Sequence, residues 1–171
     1  VFKAGQYAKV VYPNDVEKYY SIASLPGDDG IEFHIRRSGD GKSSSHYDLD
    51  QLSIGDPVMV TAPMGSSYFR DEHTGPILCV AGGSGMAPIR SIAETAIAEN
   101  GGREVHLYFG VRDERDIYFE ERFSELARSH ANFHFTPVLS EPLGETARRT
   151  GFVHEAVAAD LGDFYGWKAY L

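Results

Sequence analysis

Cysteine is almost absent: Cys79 is the only one among 171 residues, and it sits inside an apolar run. That excludes a disulfide framework and a thiolate metal cluster, and a thiol in such a run is not a reactive one. The expected compartment is reducing, the cytoplasm. Basic clusters are also missing. Nothing is longer than the pairs Arg36-Arg37 and Arg148-Arg149, and the formal net charge is -9, so nucleic acid is not an expected partner. No apolar run approaches the roughly 20 residues of a membrane span, and no secretory leader is expected. Of the histidines, only His130 and His134 have a ligand-like spacing. Asn132-Phe133 starts a strand between them, so they share no helical face and no metal site is expected. Neither a Ser-His-Asp nor a Cys-His arrangement is present, and there are no internal repeats.

What is present is a hydrophobic content of 42%, enough to bury a real core. At roughly 100 residues per compact unit the length allows one domain or two small ones. The patterning divides the chain. Up to about residue 70 it is that of β structure: strands are expected over 6–11, over 31–35 (where Ile31, Phe33 and Ile35 alternate with Glu32 and His34) and over 57–61. Pro26-Gly27-Asp28-Asp29-Gly30 reads as a turn, and only the residues around Tyr47 to Leu52 hint at a helix. The expectation for 1–72 is a small antiparallel barrel or sandwich.

After Gly75 the rhythm becomes strand, helix, strand, helix. Strands are expected over 77–81, 104–110 and 133–139, and helices after Pro88 and over 117–128 and 152–161. Such alternation predicts a parallel sheet over 73–171, with the C-terminal ends of its strands on one edge. That edge would gather Gly82-Gly83-Ser84-Gly85, Gly110-Val111-Arg112 and Leu139-Ser140-Glu141 into one crevice.

The first of these loops links an apolar strand to a helix whose apolar positions are Ile89, Ile92, Ala93, Ala96 and Ile97, with Pro88 suited to the first helical position. Glycines there allow positive φ and leave room for a ligand's oxygens, while the helix start presents unbonded N–H groups. An anion is the expected occupant. As a dinucleotide fingerprint the loop is incomplete, because Pro88 stands where the third glycine belongs; taken alone, a glycine turn that binds nothing fits as well.

A further set of short stretches resembles the ferredoxin:NAD(P) reductase superfamily. Phe2-Lys3-Ala4-Gly5-Gln6-Tyr7 is similar to its F-x-P-G-Q-Y, Lys18-Tyr19-Tyr20-Ser21 to its R-x-Y-S, and Gly41-Lys42-Ser43-Ser44 to its G-x-x-[ST]. Gly82-Gly83-Ser84-Gly85-Met86-Ala87-Pro88 is similar to its G-G-[TS]-G-x-A-P. The likeness spans nearly the whole chain and is strongest to reductase components of bacterial ring-hydroxylating dioxygenases, whose wording recurs in Glu32-Phe33-His34-Ile35-Arg36-Arg37 and in Leu107-Tyr108-Phe109-Gly110-Val111-Arg112.

The resemblance implies a flavin-binding barrel followed by a nicotinamide-nucleotide domain, with FAD rather than FMN and with NADH as the electron donor. Tyr20 would stack on the isoalloxazine and Ser21 would bond near its N5, making these the catalytic positions. Lys18 stands where the family's arginine holds flavin phosphate; it keeps the charge and loses the bidentate fork. His34, Ile35 and Arg36, with Gly41, Lys42, Ser43 and Ser44, complete the flavin set. Gly83, Ser84, Gly85, Met86, Pro88, Arg112, Ser140 and Glu141 form the nucleotide set. NADP-dependent members carry Ser-Arg where this chain has Ser140-Glu141, so NADH is expected.

Electrons would pass to a ferredoxin or [2Fe-2S] domain outside this chain and on to a terminal oxygenase. A flavohemoglobin-type or monooxygenase reductase with another acceptor stays open, as does a non-catalytic nucleotide-binding regulator. The chain opens at Val1 without methionine, and Trp167-Lys168-Ala169-Tyr170-Leu171 reads as a strand just beginning, ahead of the family's C-G-P-x-x-M. A fragment lacking one barrel strand and the end of the nucleotide domain is the expectation.

Overall fold

Apolar residues at every second position before residue 70, and apolar runs after residue 76, give two sheets of different kind. The computed structural model describes residues 1–13, 15–36, 52–99 and 102–171. The motif residues Gly41, Lys42, Ser43 and Ser44 lie outside them, as do Arg37 and the helical tendency around Tyr47.

The first sheet is three-stranded and antiparallel, with β1 (Tyr7–Val11) between β2 (Glu17–Ser21) and β3 (Met59–Met64). Ala8 and Val10 on β1 are buried. They lie opposite Tyr20 and Lys18, so these four residues occupy one face of the sheet. Tyr7, Tyr19 and Ser21 occupy the other. The strand expected over 31–35 is not formed. Only Phe33 pairs, in a single bridge to Ile22, and Ala23 N–H donates to the Glu32 carbonyl. The alternation was genuine, but the side chains of Glu32 and His34 are committed to the neighbouring domain.

The second sheet is five-stranded and wholly parallel. Its order is β7 (Arg149–Thr150), β6 (Phe133–Leu139), β5 (Val105–Val111), β4 (Ile77–Gly82), β8 (Lys168–Tyr170). Strand parity sorts the core. Ile77, Cys79, Leu107, Phe109 and Leu139 face α1 (Met86–Ala98) and α2 (Glu120–Ser129), while Leu78, Tyr108 and Val138 face α3 (Val153–Asp160) through Ala156 and Val157. Gly110 allows the second contact: a Cβ there would lie 2.8 Å from that of Val153.

Two helix starts differ from the sequence reading. α1 begins at Met86, after a 3-10 turn over Gly83–Gly85, so Pro88 is its third residue and not its first. The ring is tolerated because the N–H groups of the first turn have no intrahelical acceptor. α2 begins at Glu120 because Phe119 adopts a left-handed φ of 60°, which breaks the pattern expected from residue 117.

The halves share a seam. Ala4 and Phe69 join the core under α1, the buried Ser91 hydroxyl donates to the Ser24 carbonyl at 2.8 Å, and Arg90 donates to Glu32 at 2.8 Å.

Candidate functional site

Parallel strands in register bring Gly82, Gly110 and Val138 level at their C-terminal ends, and the loops beyond them open a cleft of about 700 Å³. The glycine turn forms one wall. Gly83 takes a φ of 50°, which an L side chain rarely adopts, and a Cβ at Gly85 would meet nothing within 4 Å. α1 has no side-chain cap and no acidic residue in its first turn, so the positive end of its dipole favours an anion there; its first N–H, that of Met86, bonds the Gly83 and Ser84 carbonyls of the preceding turn.

Arginines surround this cleft, each beside a carboxylate. Arg36 donates to Asp116 at 3.2 Å, and Arg112 lies 3.7 Å from the same carboxylate. Arg115 grips Asp113 at 3.0 and 2.9 Å, and Asp113 also caps the following turn by accepting from the Arg115 backbone N–H. Chiefly through the Arg115 side chain, the Asp113 carboxyl is pulled down to about 2.

The inner wall is aromatic. His34 stacks on Phe119 at 5.2 Å and meets Tyr118 edge-on at 5.3 Å, and the Arg90 guanidinium lies 4.6 Å above Phe119. Arg90 also bonds Glu94, a carboxylate only 4% exposed that Arg122 holds from α2 at 2.7 Å. One chain of ion pairs therefore runs from α2 through α1 to Glu32 of the first half, whose carboxylate also bonds His34. Burial is the largest influence on His34 and lowers its pKa; Glu32, 3.0 Å away, opposes the shift without overcoming it.

A second cavity, of about 830 Å³, lies on the other side of the α1 start. Tyr7 and Ser21 line it from the barrel, Tyr68 and Arg70 from the strand exit, Pro88 and Ile89 from α1, and Lys168 from β8. Arg70 covers the Tyr68 ring at 3.8 Å.

The structure therefore divides the expected site residues. His34, Ile35, Arg36, Gly83, Ser84, Arg112 and Ser140 meet in the first cleft, and Ser21 and Pro88 in the second cavity. Alternation along β2 separates Tyr20 from Ser21: the Tyr20 hydroxyl bonds that of Tyr12 at 3.0 Å and its ring packs against Phe33. Lys18 lies on the Tyr20 face, opposite Val10. Met86 is a fully buried core side chain, so it can serve the loop only through its backbone. Glu141 is exposed, and its N–H donates to the Arg112 carbonyl at 2.7 Å. Sequence reasoning missed Tyr118, Arg90 and Glu94, whose roles depend on partners far along the chain. It also missed Tyr19, which period-two counting from Ser21 would have found, and Tyr7, which the pairing of β1 with β2 sets opposite Ser21.

Residues 79–168 match the family described as the oxidoreductase NAD-binding domain, and residues 1–69 match the oxidoreductase FAD-binding domain. The chain belongs to the oxidoreductase NAD-binding domain family. It is 42% identical to the ferredoxin–NAD(P)+ reductase component of the naphthalene 1,2-dioxygenase/salicylate 5-hydroxylase systems of a Ralstonia species, over 99% of this chain and 52% of that protein. To the naphthalene 1,2-dioxygenase reductase component of Pseudomonas putida it is 36% identical, over 99% and 52%. Its fold superposes on an Amycolatopsis cytochrome P450 reductase with a TM-score of 0.89 at 37% identity, over 99% of this chain and 52% of that one. The chain thus spans about half the length of these relatives, as a FAD-binding domain followed by a NAD-binding domain. No helix among the described residues is long and apolar enough to cross a membrane.

Proposed function

We propose that this chain is the flavin- and nucleotide-binding part of a reductase that passes electrons from NADH through FAD to an iron–sulfur protein or domain, and from there to an oxygenase. One observation carries the reading: the start of α1 borders both cavities, with Ser84 on the cleft and Pro88 on the cavity that holds Ser21. A dinucleotide whose diphosphate lies on the glycine turn can extend past α1 toward Ser21. The names of the relatives, as reductase components of oxygenase systems, agree with this.

The residues around Ser21 suit a flavin. The tyrosines Tyr7 and Tyr19 flank the Ser21 hydroxyl, and Arg70 and Lys168 bring positive charge to the same cavity. When bound, the flavin takes two electrons as a hydride and releases them singly. The chain supplies placement: no acid or nucleophile is needed for a hydride passed between two held rings. The cleft argues for NADH over NADPH, because its arginines are already engaged by Asp113 and Asp116 and Glu141 follows Ser140 where an arginine would hold a 2′-phosphate.

Anaerobic mixing of the flavin-loaded protein with NADH tests the reading. Ser21→Ala should slow flavin reduction by roughly tenfold, the equivalent of one hydrogen bond lost in the transition state. An unchanged rate overturns Ser21's role.

A further inference from the structure

Three contacts in the inner wall cannot all be hydrogen bonds unless one more proton is present than an ionised Glu32, a neutral His34 and Tyr118 provide. His34 Nε2 lies 3.0 Å from a Glu32 carboxylate oxygen, His34 Nδ1 lies 3.2 Å from the Tyr118 hydroxyl, and that hydroxyl lies 3.2 Å from the Gly83 carbonyl. Glu32 is ionised, held low by Arg90 and His34 against its own desolvation, and can only accept. Nε2 must therefore carry a hydrogen.

Two arrangements remain. With His34 neutral, Nδ1 has no hydrogen and accepts from the Tyr118 hydroxyl, which leaves the Gly83 carbonyl with the Met86 backbone N–H as its donor. With His34 protonated, Nδ1–H donates to the Tyr118 oxygen, and the hydroxyl proton turns to Gly83. Gly83 is the residue of the glycine turn held at a φ of 50°. We propose that Tyr118 is a positioning residue that couples the protonation of His34 to the nucleotide loop, giving the Gly83 carbonyl a second hydrogen bond when His34 is charged and withdrawing it when His34 is neutral.

The groups around the switch favour release at neutral pH. Burial against Phe119 and the Arg90 cation disfavour the imidazolium, and Glu32 favours it; the net shift is downward from 6.5. Arg36, Asp116, Arg112 and Arg115 line the same cleft, and Glu94 and Arg122 act through Arg90. Tyr118 is held for this role by its ring, which meets Phe109 edge-on at 5.5 Å, and burial raises its hydroxyl to about 12, so it keeps its proton throughout. The effect on binding rests on the cleft being the dinucleotide site.

Carbon-13 and nitrogen-15 NMR of the chain against pH tests the coupling without any nucleotide. The Gly83 carbonyl and the His34 ring should share one inflection below 6.5. In Tyr118→Phe, which keeps the ring contacts, His34 should still titrate while Gly83 becomes flat. In His34→Phe, Gly83 should also be flat. A Gly83 resonance that ignores His34 in the parent chain, or follows it unchanged in Tyr118→Phe, overturns the proposal; so does a His34 ring that does not titrate before unfolding. ADP-ribose, whose diphosphate stays ionised across this range, should bind about fivefold more tightly on the acid side, with the gain reduced in Tyr118→Phe. Affinity independent of pH overturns the effect on binding. Failure of ADP-ribose to bind at all overturns the nucleotide reading, and the resonances still decide the coupling.

Discussion

The two sheets of this molecule bury their residues differently. In the parallel sheet both faces are covered, and Ile77, Val105, Leu107, Phe109, Val138 and Leu139 are wholly shielded. In the antiparallel sheet β3 is exposed along most of its length, with Met59 at 68% and Val60 at 38%. A strand covered on both faces is an unbroken apolar run, and such runs are easy to read; a strand covered on one face can be assigned only if its partners are known. The parallel half should therefore carry most of the stability, and the antiparallel half should contribute mainly where it meets α1.

Denaturant unfolding of core and edge variants tests that contrast and should give the largest effect. Phe109→Ala empties a fully buried site and should cost about 3–5 kcal/mol, whereas Met59→Ala on β3, where the residue is 68% exposed, should stay within about 0.5 kcal/mol. Comparable losses at the two positions would break the comparison. Next in size is the ion-pair chain behind the seam. Glu94→Gln removes the carboxylate that Arg90 and Arg122 share, and should cost roughly 1–3 kcal/mol, since Arg90 retains Glu32. No loss would mean that this buried carboxylate does not hold α1 to α2.

Legibility followed the same division. Every long strand of the parallel sheet was readable, because Ile77 to Ala81 is an unbroken apolar run and Phe133 to Leu139 is apolar at every position but His134 and Thr136. The crevice was readable too, since topology alone fixes which strand ends meet. The strand expected over 31–35 was not formed: its alternating Glu32 and His34 answer to Arg90 and Tyr118, partners more than fifty positions away. The division of Tyr20 from Ser21 was legible in principle, for adjacent residues of a strand face opposite ways, but the motif drew both toward one site. Phe119 looked like a helix residue, and its left-handed backbone left no trace in the apolar pattern.

Smaller effects sharpen the account of the cleft. Glu141→Arg should raise kcat/KM for NADPH relative to NADH by about tenfold, by adding one charge-assisted bond and removing a like charge. A parent enzyme that prefers NADPH, or a variant with no change in ratio, contradicts the assignment. The smallest effect is in pH. His34 and His106 both have pKa values lowered from 6.5, first by burial, so the folded state binds fewer protons than the unfolded chain just below that pH. Their neutral forms stabilise the fold above 6.5, and that contribution is lost as pH falls through their folded values. Thermal unfolding should show the midpoint dropping on the acid side, less steeply in His106→Phe. A midpoint that rises as the solution is acidified from neutrality would reverse the sign.

The central claim is that the glycine turn and the loops facing it form the dinucleotide site, and plugging the cleft tests it most directly. Ser84 is exposed and lines the cleft, so Ser84→Tyr should leave unfolding free energy within about 0.5 kcal/mol while filling the space beside Gly83. Calorimetric titration with NAD+ should then show binding by the parent chain and an affinity at least roughly tenfold weaker in Ser84→Tyr. Equal affinity in the two proteins, with both fully folded, would place the nucleotide elsewhere and contradict the account.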